Sequence, residues 1–245
     1  MDSDKKNDLQ TLLKGEVNNF QATCQMFPDE VKHIDKLLSL YEIFNRNLSI
    51  YPRSQISILQ MFWMCFRGFL TSTKLLLETH ISESYTITSR SAEVVGLARR
   101  MSLLPSKIPE WVEREKKTSQ SFRRIFGILF PTGDKAVFRQ VFDIYELTTE
   151  HGRHPNFAST IFFSDFDRMN TENMVDFNYF DFDRDNLTNL KRCLNYQIYA
   201  YLKFLSAFRE IFKKYLTKEW VKEYERVETD YRAFKETLRG VFQSG

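Results

Sequence analysis

Apolar side chains recur every three or four residues along most of this chain, which is the spacing of one face of an α-helix. The first run extends from Leu9 to Phe27 and the second from Val31 to Leu48. Pro28 and the two acids after it separate the runs, because proline in a first helical turn and acids at the positive end of the helix dipole mark a helix start. We expect two helices that form an antiparallel pair.

The middle of the chain predicts further helices. They are expected over residues 54–79, 82–102, 111–118, 122–130 and 137–150. Residues 58–70 are apolar on nearly every side, so the helix that contains them should be central and buried. Pro105 and Pro109 end the next helix, because proline lacks the amide hydrogen that a helix interior needs.

From Leu187 onward the apolar spacing is regular and averages about 3.5 residues, as in helical bundles and coiled coils. Two runs, 187–215 and 220–241, follow each other with no Gly or Pro between them. Either a tight turn near Leu216 and Thr217 folds them into a hairpin over residues 186–242, or one helix projects outward. At about 1.5 Å per residue the single helix would be a rod on the order of 80 Å, which needs a partner chain. We prefer the hairpin.

Residues 153–185 do not follow the helical pattern, because aromatic side chains alternate with acids there. A loop or short β-hairpin near 155–183 fits this alternation best. A connection longer than about 15 residues inside a compact domain is often functional when it is ordered. The predicted fold is therefore an all-α, multi-helix bundle that forms a single domain over residues 1–245, with the C-terminal hairpin packed on it and one insertion.

The composition agrees with this fold class. The chain is 42% apolar and 15% aromatic, so it can bury a core, and it has only 8 Gly and 6 Pro. Sandwiches and barrels need many turns, and turns draw on these two residues. Long helices need few Gly and Pro residues.

Charge is small in sum but unevenly distributed. The formal net charge is +3, yet residues 107–139 hold eight Lys or Arg against four acids, and residues 165–185 hold seven acids against two Arg. Ordinary solvated surfaces explain most such patches. If a nucleic acid binds, the basic stretch Lys107–Arg139 is where we expect it.

The three cysteines, Cys24, Cys65 and Cys193, lie in separate helical segments, and their odd number argues against a disulfide framework. The polar N-terminus has no apolar core of a signal peptide. The longest apolar run falls short of the roughly 20 residues that a membrane crossing needs. We expect a cytoplasmic protein without a membrane span.

The densest polar cluster is Glu150-His-Gly-Arg-His-Pro-Asn156, where a helix ends and the insertion begins. His151 or His154 could exchange protons near neutrality while Arg153 holds a phosphate or carboxylate. The alternative is structural, because helix ends favour His and Arg, and Gly152 would supply a left-handed C-terminal residue.

Metal binding has little support in the sequence. The order Glu150-His-x-x-His differs from the His-Glu-x-x-His that places two ligands one helical turn apart. Residues 181–192 open like a calcium loop but lack Gly at the sixth position and Glu at the twelfth. We expect neither a metal nor a cofactor.

Arg90 and Glu93 lie in a predicted helix of otherwise small or apolar residues. On the surface, such a pair would contribute only about 0.2–0.5 kcal/mol. If the pair is buried it needs partners, because isolated buried charges are costly. The cluster around His154 is the obvious partner, so these residues are expected to converge.

Arg90-x-x-Glu93, Tyr145-x-x-Thr148 and His154-Pro155-Asn156 together resemble a group of bacterial all-helical proteins placed near the HEPN-like proteins. The resemblance covers roughly residues 55–215. It implies a dimeric helical bundle, in some cases a metal-independent ribonuclease of toxin–antitoxin or phage-defence systems. The catalytic motif of that group is Arg followed four to six residues later by His, and none of the four histidines here has an Arg at that spacing.

Two functions follow as expectations. The first is a HEPN-like bundle that acts through a homodimer or partner surface, with the C-terminal heptads as the contact. The second is a ribonuclease or nucleotide-binding protein whose candidate catalytic residues are Arg90, Glu93, Arg153 and His154. Further ligand-binding candidates are Tyr145, Glu150, His151 and Asn156. The sequence is compatible both with an enzyme and with a non-catalytic protein.

Overall fold

The computed structural model describes residues 9–48, 51–52, 55–115, 125–131, 133–152 and 184–243. The α-helices in this part of the chain are α1 Leu9–Met26, α2 Pro28–Phe44, α3 Ile56–Leu77, α4 Ile81–Leu103, α5 Ile108–Glu115, α6 Ala136–Gly152, α7 Arg184–Phe212 and α8 Lys218–Gln243. Among these residues there is no strand, only an isolated antiparallel bridge between Leu48 and Leu216. The predicted all-α, multi-helix fold is confirmed.

Helix α7 occupies the centre of the bundle. It contacts α2, α3, α4 and α6, and several of its large side chains are completely buried, Tyr201, Phe204, Phe208 and Phe212 among them. Helix α3, which the sequence predicts to be central, keeps one exposed side on which the Met64 side chain is 52% exposed. An all-round apolar helix thus still leaves one face in contact with solvent.

The C-terminal hairpin is present. The chain turns at residues 213–217, and α8 then runs back along α7, where Arg209 and Glu225 form an ion pair at 2.7 Å. The Thr217 hydroxyl accepts a hydrogen bond from the Trp220 amide (3.3 Å), which caps the start of α8. The apolar seam of α8 from Trp220 to Tyr231 is buried within this chain, so the single long rod is wrong.

Helices α4 and α6 pack closely in antiparallel register. The Ser89 and Thr149 hydroxyls lie 2.7 Å apart, and the Thr86 hydroxyl donates to the Gly152 carbonyl at 2.8 Å. A Cβ at Gly152 would lie 2.5 Å from the Thr86 backbone nitrogen. The prediction of a left-handed helix end at Gly152 is wrong, because α6 includes this residue. The absence of a side chain at Gly152 lets α6 pack closely against α4.

A buried polar cluster joins α3, α4 and α7. The Gln197 side-chain amide donates to the Ser72 hydroxyl, and its carbonyl oxygen lies 3.1 Å from the Thr88 hydroxyl. The Tyr201 hydroxyl lies 3.0 Å from that of Ser72 and 2.9 Å from that of Ser91. These side chains satisfy one another's hydrogen-bonding groups, as buried polar groups must.

Other expectations differ from the structure or fall outside it. Helix α1 contacts both α2 and α3, and the contact with α3 is the larger one. Of the helix expected at 122–130, only residues 125–126 are helical among those described. The insertion near 155–183 and residues 116–124 lie outside the described residues.

Candidate functional site

The residues expected to converge on His154 are only partly described. Arg90 is exposed on α4, and Glu93 is half-buried one turn further along. The contact of Ser89 with Thr149 brings the helical turn of Arg90 beside the last turn of α6. Arg153, His154 and Asn156 lie beyond the part of the chain that the structure describes, so their convergence with Arg90 stays a prediction.

The remaining described candidates, Tyr145, Glu150 and His151, lie on α6. Glu150 is exposed, and the His151 ring lies 6.2 Å from the ring of Tyr85. The half-buried ring of Tyr145 lies 5.6 Å from that of Phe130. Tyr145 is thus two turns of helix away from His151 and takes part in aromatic packing.

A polar cleft of about 300 Å³ lies at the other end of the bundle, where α4 and α7 end and α6 begins. Its lining comes from four separate parts of the chain. These residues are Tyr51, Gln55, Arg99, Ser102, Lys135, Glu210, Ile211, Lys213, Lys214 and Tyr215.

Local structure explains why cations meet there. Arg99 lies near the C-terminal end of α4, and Lys213 and Lys214 directly follow α7. Cations are favoured at these positions because the last carbonyls of a helix carry partial negative charge. Lys135 precedes α6, and its backbone amide donates to the Asp134 carboxylate at 2.8 Å, an interaction that fixes the start of α6.

Arg99 is held in place by Asp134. Its guanidinium donates to both carboxylate oxygens, at 2.9 and 3.3 Å, and stacks over the Phe138 ring at 4.4 Å from the ring centroid. Partial burial acts to raise the pKa of Asp134, but hydrogen bonds from Arg99 and the Lys135 amide outweigh it and lower that pKa. Asp134 is therefore ionised at neutral pH.

Glu210 bridges two of the lysines. The Lys135 ammonium donates to its Oε1 atom, and the Lys213 ammonium lies 3.1 Å from the same oxygen. Partial burial acts against ionisation, yet these two hydrogen bonds lower the pKa of Glu210. Lys214 is exposed and makes no ion pair with another described residue. Four cations and two carboxylates leave an excess of two positive charges around the cleft.

Two tyrosines give the cleft an aromatic side. The rings of Tyr51 and Tyr215 meet edge to face at 4.9 Å, and Phe212 lies behind Tyr51 at 5.1 Å. Burial raises the pKa of Tyr51 well above its ordinary value, so its hydroxyl stays protonated and can donate a hydrogen bond. The cleft combines cations, the neutral hydroxyl of Tyr51 and half-buried rings.

Only weak signals in the sequence point to this cleft. Lys135 belongs to the basic stretch Lys107–Arg139, but Lys107 itself donates to the Ile125 carbonyl at 3.3 Å and is not in the cleft lining. Two adjacent lysines after a helix are common at helix ends and predict no binding site by themselves. Only the fold brings the separate pieces together.

Comparisons with protein-family profiles, with curated proteins and with solved structures each found no match for this chain. Within the described residues no group of three or more His, Cys, Asp or Glu side chains is placed to hold a metal ion. None of the helices described is both long enough and apolar enough to cross a membrane.

Proposed function

We propose that this chain binds a nucleotide or a similar phosphate-bearing ligand in the cleft between Arg99, Lys135 and Lys213. The observation that carries the proposal is the excess of two positive charges around a cleft that also presents the rings of Tyr51 and Tyr215. Clustered ammonium groups form charge-assisted hydrogen bonds with phosphate oxygens, and a nucleobase stacks on an aromatic ring.

The size of the cleft limits the ligand. Ligand pockets usually measure about 300–1,000 Å³, so a cleft of about 300 Å³ accommodates one nucleotide and not an extended chain. Arg99 is engaged with Asp134, whereas Lys214 is exposed and Lys213 is bound only to Glu210 among described residues. We therefore assign the phosphate contacts to the two adjacent lysines, Lys213 and Lys214, with Lys135 as a further contact.

Isothermal titration calorimetry tests the proposal, with 5′-AMP and inorganic pyrophosphate as the titrants at low ionic strength. Both should bind the wild-type protein, and the Lys213→Ala/Lys214→Ala double variant should bind each about tenfold more weakly, a loss of about 1.4 kcal/mol. Lys32→Ala removes an exposed lysine outside the cleft lining and serves as the matched control. Equal affinities in all three proteins, or no binding to the wild type, would refute the proposal.

The tyrosine side of the cleft requires a separate comparison. Tyr215→Ala should weaken binding of 5′-AMP by roughly tenfold, since stacking of a base on an aromatic ring contributes about 1–3 kcal/mol. Binding of pyrophosphate, which has no base, should change little. Equal losses for both ligands would show that Tyr215 supports the cleft without contacting a base.

A second candidate function is partner binding through α1. The apolar stripe of this helix leaves Leu13, Val17 and Phe20 between 38% and 54% exposed. An exposed row of large apolar residues often marks a protein contact. Such a contact would agree with the homodimer that the HEPN-like resemblance implies, but it would use α1, because the heptads of α8 are buried within the chain.

A further inference from the structure

Glu210 occupies the position in the cleft that a ligand oxygen would take. Its Oε1 atom alone accepts from the ammonium groups of Lys135 and Lys213, which come from different elements. A single oxygen between two ammonium groups is also the arrangement expected for an oxygen of a bound phosphate. Lys135 and Lys213 cannot both bind a ligand fully while they are bound to Glu210.

We infer that Glu210 is an internal competitor, a carboxylate that a ligand must displace, so that the cleft holds terminal phosphate groups and excludes phosphodiesters. This inference rests on the proposed function. It adds a residue that lowers the affinity of the cleft for every anion, and so it narrows the ligands that bind measurably to phosphomonoesters and polyphosphates.

Displacement of Glu210 is feasible because its ion pairs are partly solvated. The side chains of Lys135 and Lys213 are 52% and 57% exposed, and that of Glu210 is 27% exposed. Ion pairs of this kind contribute little to stability. Once displaced, the Glu210 carboxylate has access to solvent and can remain ionised.

Ligand charge then decides which ligands bind. A phosphomonoester carries roughly −1.5 to −2 charges at pH 7 and offers three terminal oxygens. A phosphodiester carries a single charge, as the carboxylate does, and gains little by replacing it. Glu210 lowers the affinity for every anion by a similar factor. A dianion therefore still binds measurably, whereas a monoanion of the same size does not.

The test compares 5′-AMP, a monoester, with 3′,5′-cyclic AMP, a diester with the same base, by calorimetry at pH 8 on wild-type protein and Glu210→Gln. Wild type should bind 5′-AMP and show no measurable heat with the cyclic ester. Glu210→Gln should bind 5′-AMP about 3- to 10-fold more tightly, since tenfold corresponds to 1.4 kcal/mol, and should bind the cyclic ester detectably. Glu219→Gln, which removes an exposed carboxylate outside the cleft lining, controls for net charge.

Each outcome separates the inference from the proposed function. If wild type binds 5′-AMP but Glu210→Gln binds it equally or more weakly, Glu210 positions the lysines and is not a competitor, while the proposed function stands. Equal gains in Glu210→Gln and Glu219→Gln would reduce the effect to net charge and overturn the inference. If wild type binds neither 5′-AMP nor pyrophosphate, both proposals fail.

Discussion

Glycines in this protein act at helix contacts as much as at turns. Positive φ angles occur at Gly127 and Gly133, which lie between helices. Gly68, Gly96 and Gly152 instead lie inside or at the end of helices, where a Cβ would meet atoms of another element at 2.1–2.8 Å. At Gly68 and Gly152 the missing side chain lets two helices approach closely, and at Gly96 it leaves room for the side chains of Leu129 and Phe130.

Two of these glycines form a matched pair for mutation to alanine. In an unobstructed helix the change stabilises by roughly 0.5–1 kcal/mol. At Gly152 the new Cβ would meet backbone atoms of Tyr85 and Thr86 at 2.8 and 2.5 Å, so α4 and α6 would have to separate. Gly152→Ala should therefore destabilise the protein by about 1–3 kcal/mol, measured by urea denaturation.

Gly96→Ala is the comparison. There the nearest atoms, at 2.8 and 2.9 Å, belong to the side chains of Leu129 and Phe130, which can rotate away. Its cost should stay below about 1 kcal/mol. An equal or larger loss at Gly96 would show that backbone contact is not what makes Gly152 necessary.

Helix α8 is held against α2 by a small set of specific contacts. The Lys36 ammonium and the Asp230 carboxylate form an ion pair at 2.7 Å, and the Trp220 indole donates to the Leu40 carbonyl at 3.2 Å. The His33 ring lies between Tyr231 and Phe234, with ring centroids at 5.8 and 4.6 Å. An imidazole thus sits inside the contact between the two helices.

This contact should weaken in mild acid. Burial lowers the pKa of His33 below its ordinary value of 6.5, and the nearby Lys36 lowers it further, while Asp230 acts in the opposite direction. Below pH 6.5 the unfolded chain therefore binds more protons than the folded chain, and stability falls as the pH falls. The free energy of unfolding should decrease between pH 7.5 and pH 5.5.

Replacement of His33 by phenylalanine isolates this effect. Phenylalanine cannot be protonated, and the Nδ1 atom that it removes is buried without a hydrogen-bond partner among the described residues. His33→Phe should unfold at the same or a higher urea concentration at pH 7.5 and show a smaller decrease at pH 5.5. A decrease as large as that of wild type would assign the pH dependence to other groups.

For the molecule as a whole, helix positions could be predicted but helix packing only in part. The apolar spacing located α1–α4 and α6–α8 because each helix must present a continuous apolar face to its neighbours. Spacing does not reveal which neighbour covers that face. The spacing therefore placed α3 at the centre instead of α7, and it did not indicate the contact of α1 with α3.

The cleft could not be predicted for a related reason. Its charges come from Arg99, Lys135, Glu210 and Lys213. Most of these residues are far apart in the sequence, and the local sequence around each of them does not indicate a binding site. The cluster around His154 is recognisable in the sequence because its polar residues are adjacent. Adjacency is a poor guide to a site that only tertiary packing assembles.

The oligomeric state is the last prediction and depends on α1. Because Leu13, Val17 and Phe20 form one exposed stripe, two copies of α1 can pair antiparallel about a two-fold axis and cover it. Light scattering at micromolar concentrations should give about twice the 29.3 kDa of one chain. Val17→Glu would bury an unpaired charge at the centre of the contact and should weaken the dimer at least about tenfold. Leu147→Glu, at an apolar residue 39% exposed on α6, should leave it intact; a monomeric wild type would refute the dimer, and dissociation by Leu147→Glu as well would move the contact away from α1.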